Sequence, residues 1–149
     1  MQSLLVDTNI LVLLIIGTWD RDSVGTHRRT ETFAPRDYDL LRAEMGRFGR
    51  VLTTQPVLTE ASNLMGNDFH EDVADTLVRV CLPFVEVVRP KETVFQAKGF
   101  ARLGFADASI LAALDADTVV LTDDVSLYAQ VWYLGNEAIN FNHLRQYGG

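Results

Sequence analysis

Cysteine is almost missing: Cys81 is the only one in 149 residues. No internal disulfide can form, and a thiolate zinc site lacks ligands. Cys81 stands among Val80, Leu82 and Phe84, which reads as a buried small hydrophobe rather than a nucleophile. Positive charge is also scarce. Thirteen Lys and Arg face twenty Asp and Glu, a formal net charge of -7. A module that simply coats nucleic acid is usually basic, so the charge argues against that class, whereas it leaves open an enzyme with a local basic patch and bound cations. No long apolar run occurs. The N-terminal apolar stretch has no basic leader, is interrupted by Asp7 and is too short to span a bilayer, so the chain is expected in the cytoplasm, away from membranes. A glycine-rich phosphate loop is missing, and His27, His70 and His143 lack metal-ligand spacing. No Ser/His/Asp or Cys/His set has supporting context.

What is present is a core. Hydrophobic residues make up 48% of the chain, enough for one domain covering residues 1–149, with no repeat and no linker. Its organising stretch is Ser3-Leu4-Leu5-Val6-Asp7-Thr8-Asn9, an apolar run ending in a carboxylate. A strand buried in a parallel sheet reads this way. A helix over 10–16 follows, with Thr8 or Asn9 as cap and Gly17 as stop. Residues 18–34 are polar and aperiodic, a long loop holding the basic cluster Arg21, His27, Arg28 and Arg29. Pro35 opens a second helix, which Gly49 ends. A strand over 51–53 leads to a helix over 56–65, capped by Thr54 and stopped by Gly66. A fourth helix starts at Asn67 or Asp68 and runs through Val80. A strand over 84–88 precedes a fifth helix over 90–103, and a sixth spans 106–114. The buried-type strand 118–121 ends at Thr122-Asp123-Asp124; one more helix and a strand over 138–141 complete the chain. Trp132, Tyr133 and Phe48 read as core, with an interface as the alternative. Alternating strands and helices imply a three-layer α/β/α sandwich with a mostly parallel central sheet.

Several carboxylates are placed unlike surface residues. Asp7 directly follows a strand, where it also suits a helix N-cap. Glu60 has Val57, Ala61 and Leu64 around it at helical spacing, which sets it at the margin of an apolar stripe. Asp107 has Ile110, Leu111 and Leu114 at i+3, i+4 and i+7, which sets it on the inward face unless it caps the helix. Asp123 and Asp124 follow a buried strand. If these acids meet, they repel one another and raise some of their own pKa values unless a cation joins them. Such hard oxygen ligands suit Mg²⁺ or Mn²⁺. Two other acid-rich α/β classes fit poorly. A haloacid dehalogenase-type phosphatase would want an Asp where Asn9 stands. A receiver would want a phosphorylatable Asp and a strand-end Lys, and Val85 to Val88 leads instead to Arg89-Pro90.

The segments Val6-Asp7-Thr8-Asn9, Leu58-Thr59-Glu60-Ala61-Ser62-Asn63, Ala106-Asp107-Ala108-Ser109-Ile110-Leu111-Ala112-Ala113 and Val120-Leu121-Thr122-Asp123-Asp124, in this order, resemble a PIN domain. This is the fold of many Mg²⁺-dependent ribonucleases, including the toxins of VapBC toxin–antitoxin pairs. The resemblance implies that Asp7, Glu60, Asp107 and Asp124 are catalytic metal ligands for Mg²⁺, with Mn²⁺ as substitute. Asp123 stands as a helper or as the actual fourth ligand. Thr8, Asn9 and Thr122 would orient ligands or waters. It further implies hydrolysis of RNA by a metal-activated water, an antitoxin partner and a homodimer. Candidate phosphate contacts are Arg21, Arg28, Arg29, Lys91, Lys98 and Arg102, with Lys98 and Arg102 on one helix face and Lys91 reading more readily as ordinary solvated surface. The alternative on the same fold is an inactive RNA- or protein-binding module. The segment 18–34 departs from the most compact toxins.

Overall fold

The computed structural model describes residues 2–65 and 71–147. Five strands, β1 (Ser3–Val6), β2 (Arg50–Thr53), β3 (Val85–Glu86), β4 (Thr118–Thr122) and β5 (Glu137–Asn140), form one sheet in the order β3-β2-β1-β4-β5, with every pairing parallel. Among the described residues, nine helices flank it in a three-layer α/β/α sandwich: α1 (Thr8–Trp19), α2 (Pro35–Met45), α3 (Gln55–Met65), α4 (Glu71–Cys81), α5 (Lys91–Phe95), α6 (Phe100–Leu103), α7 (Phe105–Ala112), α8 (Val125–Tyr133) and α9 (Phe141–Tyr147). None of these is long and apolar enough to cross a membrane. The chain runs outward from β1 through β2 to β3, then returns to set β4 on the other side of β1. The direction of winding therefore reverses between β1 and β4. In open α/β sheets, ligands bind at the carboxyl ends of the strands at such a reversal.

Both β1 and β4 are buried along their whole length, as unbroken apolar runs in a parallel sheet should be. Helix α1 is also buried on nearly all sides, because α2, α3 and α4 pack around it. It runs two residues past Gly17, so Gly17 does not stop the helix. Its role is spatial: a Cβ there would overlap the Tyr38 ring of α2. That ring has little freedom, since its hydroxyl shares a hydrogen bond with Thr18 Oγ1 at 2.9 Å and accepts one from Arg42 Nη1 at 2.9 Å. Gly17→Ala should therefore destabilise the protein despite the better helix propensity of Ala. Overpacking costs roughly 1–3 kcal/mol, of which propensity returns up to ~1. A drop of a few degrees in Tm is expected, and an unchanged or higher Tm would refute the close approach.

Other boundaries also move. Helix α2 ends at Gly46 rather than Gly49. The expected fifth helix is interrupted between α5 and α6, where Gly99 adopts a positive φ of 92°. Lys98 and Arg102 thus share no helix face. They meet at α8 instead: Lys98 Nζ donates to the Tyr133 hydroxyl at 2.9 Å, and Arg102 Nη2 reaches Gln130 Oε1 at 3.5 Å. Trp132 and Tyr133 are exposed on α8 rather than in the core, while Phe48 is partly buried. Residue 141 begins α9, with Asn140 Oδ1 accepting from the Asn142 N–H at 2.9 Å. The Gly66 stop, the expected start of the fourth helix at Asn67 or Asp68, and His70 lie outside the described residues.

The polar run 18–34 is folded. Two 3₁₀ turns, Arg21–Ser23 and Arg28–Thr30, alternate with the buried anchors Val24, Thr30 and Phe33. Arg145 of α9 ties it down from the far end of the chain. Its guanidinium donates to Thr32 O at 2.8 Å, pairs with Asp37 at 3.2 Å and lies 4.9 Å from the centre of the Phe33 ring.

Candidate functional site

Asp7 sits at the carboxyl end of β1, and its N–H donates to Leu121 O of β4 at 3.1 Å. Its carboxylate has two jobs. Oδ1 accepts from the Ile10 N–H at 3.2 Å and caps α1, and Oδ2 accepts from the Thr122 hydroxyl. Capping and a place in an acidic site are therefore compatible. The side chain is 4% exposed. Burial above all, then the negative charges of Asp123 and Asp107, push its pKa up to about 8, although both hydrogen bonds pull it down.

Thr122 is the hinge of the arrangement. Fully buried at the end of β4, its Oγ1 donates to Asp7 and accepts from the Asp124 N–H at 2.9 Å. Asp124 turns one oxygen to the Leu127 N–H at 3.0 Å and caps α8. Asp123 beside it has a raised pKa, through burial and then Asp124, while Asn9 and Arg145 pull it down. Asp107, in the first turn of α7, is half-buried, and its pKa is pushed up to about 6 by burial, then by Asp124, Glu60 and Asp123. Glu60 is exposed on α3. Its helix is joined to α7 by a buried hydrogen bond of 2.7 Å between the Thr54 and Ser109 hydroxyls, and Thr54 Oγ1 also caps α3 at the Val57 N–H.

Five acids from four distant segments therefore contribute charge to one site, in which Asp7, Asp107 and Asp123 are the groups raised. Glu60 does so at the outer margin: its repulsion falls on Asp107 and is not among the causes acting on Asp7. Among the described residues, no three His, Cys, Asp or Glu side chains stand close enough to share a single ion. Two buried oxygens beside the acids have no hydrogen-bond partner, Thr8 Oγ1 and Asp123 Oδ1. An orphaned buried oxygen is costly. Oxygen ligands suit a hard divalent cation by type, although no three of these acids reach one point.

No family model, curated protein or solved structure matches this chain. The site rests on its own residues.

The basic residues expected to meet phosphate fall on separate segments. Arg21 is engaged by Asp39 in a two-pronged pair with contacts of 2.6 to 3.2 Å. Arg28 and Arg29 are exposed in the 3₁₀ turn. Lys98 lies 4.6 Å from the centre of the Tyr133 ring. Burial pushes the Cys81 thiol up to about 11, so it stays protonated at neutral pH, as an inert thiol should. Two contributors escape local sequence reading. Ser109 carries a polar atom on an otherwise apolar face, which is a detectable signal. Arg145 has none, since its neighbours at residues 32, 33 and 37 are remote in the chain.

Proposed function

We propose that this protein is a metal-dependent ribonuclease that hydrolyses RNA phosphodiester bonds with water, working in the cytoplasm on the PIN-domain plan. One observation carries the reading: at the reversal point of the sheet, Asp7, Asp107 and Asp123 have their pKa values raised first by burial and then by neighbouring carboxylates, Glu60 of α3 and Asp124 among them. Asp7 and Asp107 would hold the ion, with Glu60 and either Asp123 or Asp124 completing the set. Mg²⁺ or Mn²⁺ in such a set lowers the pKa of a bound water and neutralises charge on the phosphate. Thr122 holds Asp7 in place. Asn9 and Arg145 oppose the rise that burial causes in the Asp123 pKa. Arg28 and Arg29 are free to meet the RNA backbone. The same resemblance extends the proposal to an antitoxin that fills the acidic site and to a homodimer.

The rival is an inactive binding module on the same fold, and the spread of the acids favours it, because no three of them share one point. Cleavage of a panel of RNAs with Mg²⁺, Mn²⁺ or chelator, by wild type and Asp107→Asn, separates the two. Loss of a group that merely supports metal ligands costs roughly 10- to 100-fold, so loss of a ligand should cost at least a hundredfold. Cleavage that survives chelator, or that Asp107→Asn retains in full, would sink the nuclease reading.

A further inference from the structure

A cleft of about 630 Å³ opens at the carboxyl ends of β2 and β3, between α3 on one side and α5 and α7 on the other. This is within the size range of small-ligand sites, roughly 300–1,000 Å³. It borders the acids at Glu60, which forms part of its wall, and its lining residues Phe105, Ala106 and Ser109 flank Asp107 along α7. In the sheet order, β3 and β2 lie beside β1, so the cleft is one or two strand spacings, roughly 5–10 Å, from Asp7.

Its lining is divided by chemistry. Val87, Val94 and Phe105 supply an apolar wall, Asn63 an amide, and Arg89 and Lys91 two cations. Phe105 is 39% exposed, and its ring is held edge-on by Phe95 at 5.6 Å and Phe100 at 6.4 Å, which themselves pack at 5.3 Å. A rigid, half-exposed ring beside two cations is the equipment of a single-strand binder: the ring stacks a base and the cations meet the backbone. Duplex stacking would hide the base face that such a ring needs. Arg89 donates to its neighbour's carbonyl Val88 O at 3.0 Å, and Lys91 pairs with exposed Glu92 at 2.6 Å, so both heads stay near solvent and can turn to a phosphate.

We propose that this cleft is the nucleotide subsite next to the cleaved bond: it takes one unstacked base of single-stranded RNA against Phe105, with the adjoining phosphate on Arg89 and Lys91. The assignment rests on the nuclease reading for its place beside the scissile phosphate, but binding can be measured without cleavage. The test is fluorescence anisotropy of a labelled single-stranded RNA ten-mer, and of the same sequence as a duplex, with Mg²⁺ present and Asp107→Asn as the parent so that bound RNA stays intact. Adding Phe105→Leu should weaken single-strand binding roughly five- to 150-fold, the range for losing one stacked base. Adding Arg89→Ser with Lys91→Ser should weaken it and reduce the salt slope by about 0.7 per lost phosphate contact. Thermal melts confirm that each variant is folded. Equal affinity for the duplex, or unchanged affinity in both variants, overturns the subsite even if the wild type cleaves RNA. Loss of binding in both variants upholds it even if no metal-dependent cleavage is found, in which case the nuclease reading alone falls.

Discussion

Replacing Asp7 with Asn is expected to stabilise the protein in the absence of divalent ions while abolishing cleavage. The native carboxyl has its pKa pushed up to about 8, chiefly by burial and then by Asp123. In the unfolded chain an Asp titrates near ~3.9. Between those values the native state holds a proton that the unfolded state has lost, so wild-type stability falls as pH rises from about 4 to about 8. Asn carries no such proton. It caps helices about as well as Asp: its Oδ1 can still accept from the Ile10 N–H, while its Nδ2 stands where Oδ2 was and donates to Thr122 Oγ1, whose hydroxyl turns from donor to acceptor, so the local structure survives. The advantage of the variant should be nil near pH 4 and on the order of a few kcal/mol at pH 8. Urea midpoints in chelator at pH 4, 6 and 8 measure it. A wild type that gains stability relative to Asp7→Asn across that range would show that Asp7 is well solvated or paired. Opposite effects on stability and activity from one isosteric change mark a residue retained for function.

Much of this design can be read from the chain because it is local. The strands show as apolar runs ended by Thr or Asp, and their carboxyl ends are where the acids lie. The acids themselves are visible because a carboxylate among Ile110, Leu111 and Leu114 violates the local pattern. What cannot be read depends on contacts between remote segments. Gly17 looks like a stop because glycine often is one, and only the Tyr38 ring, twenty-one positions on, shows that the residue is a notch. Arg21 looks available until Asp39 is placed beside it. Thr122 and Asp7 are 115 residues apart, and Arg145 and Thr32 are 113 apart. The break at Gly99 is decided by backbone dihedrals that apolar spacing does not report. The acids and the Thr122 hydroxyl beside them are thus legible in the chain, whereas the partner of that hydroxyl, the Thr54–Ser109 link and the reach of Arg145 emerge only with the fold.

Mg²⁺ should raise the thermal stability of the wild type at pH 8 and do nothing at pH 5. The ion competes with protons for Asp7, at about 8, and for Asp107, at about 6. At pH 5 both carboxyls are protonated and the site offers few charged ligands. At pH 8 Asp107 is ionised and Asp7 is half ionised, and a bound cation completes the change by offsetting the cost of burial and the repulsion from Asp123. With the ion at a hundred times its Kd, the gain is ~2.7 kcal/mol. For a chain of this size that corresponds to a Tm increase of roughly 5–10 °C. Sodium chloride at matched ionic strength controls for simple screening, which would act on the whole surface of an acidic protein. Asp7→Asn should lose most of the shift, since it removes a ligand while leaving the fold intact. Equal shifts at pH 5 and pH 8, or a full shift in Asp7→Asn, would place the ion elsewhere on the surface. The experiment needs no RNA, so it tests the joining of the acids by a cation independently of catalysis.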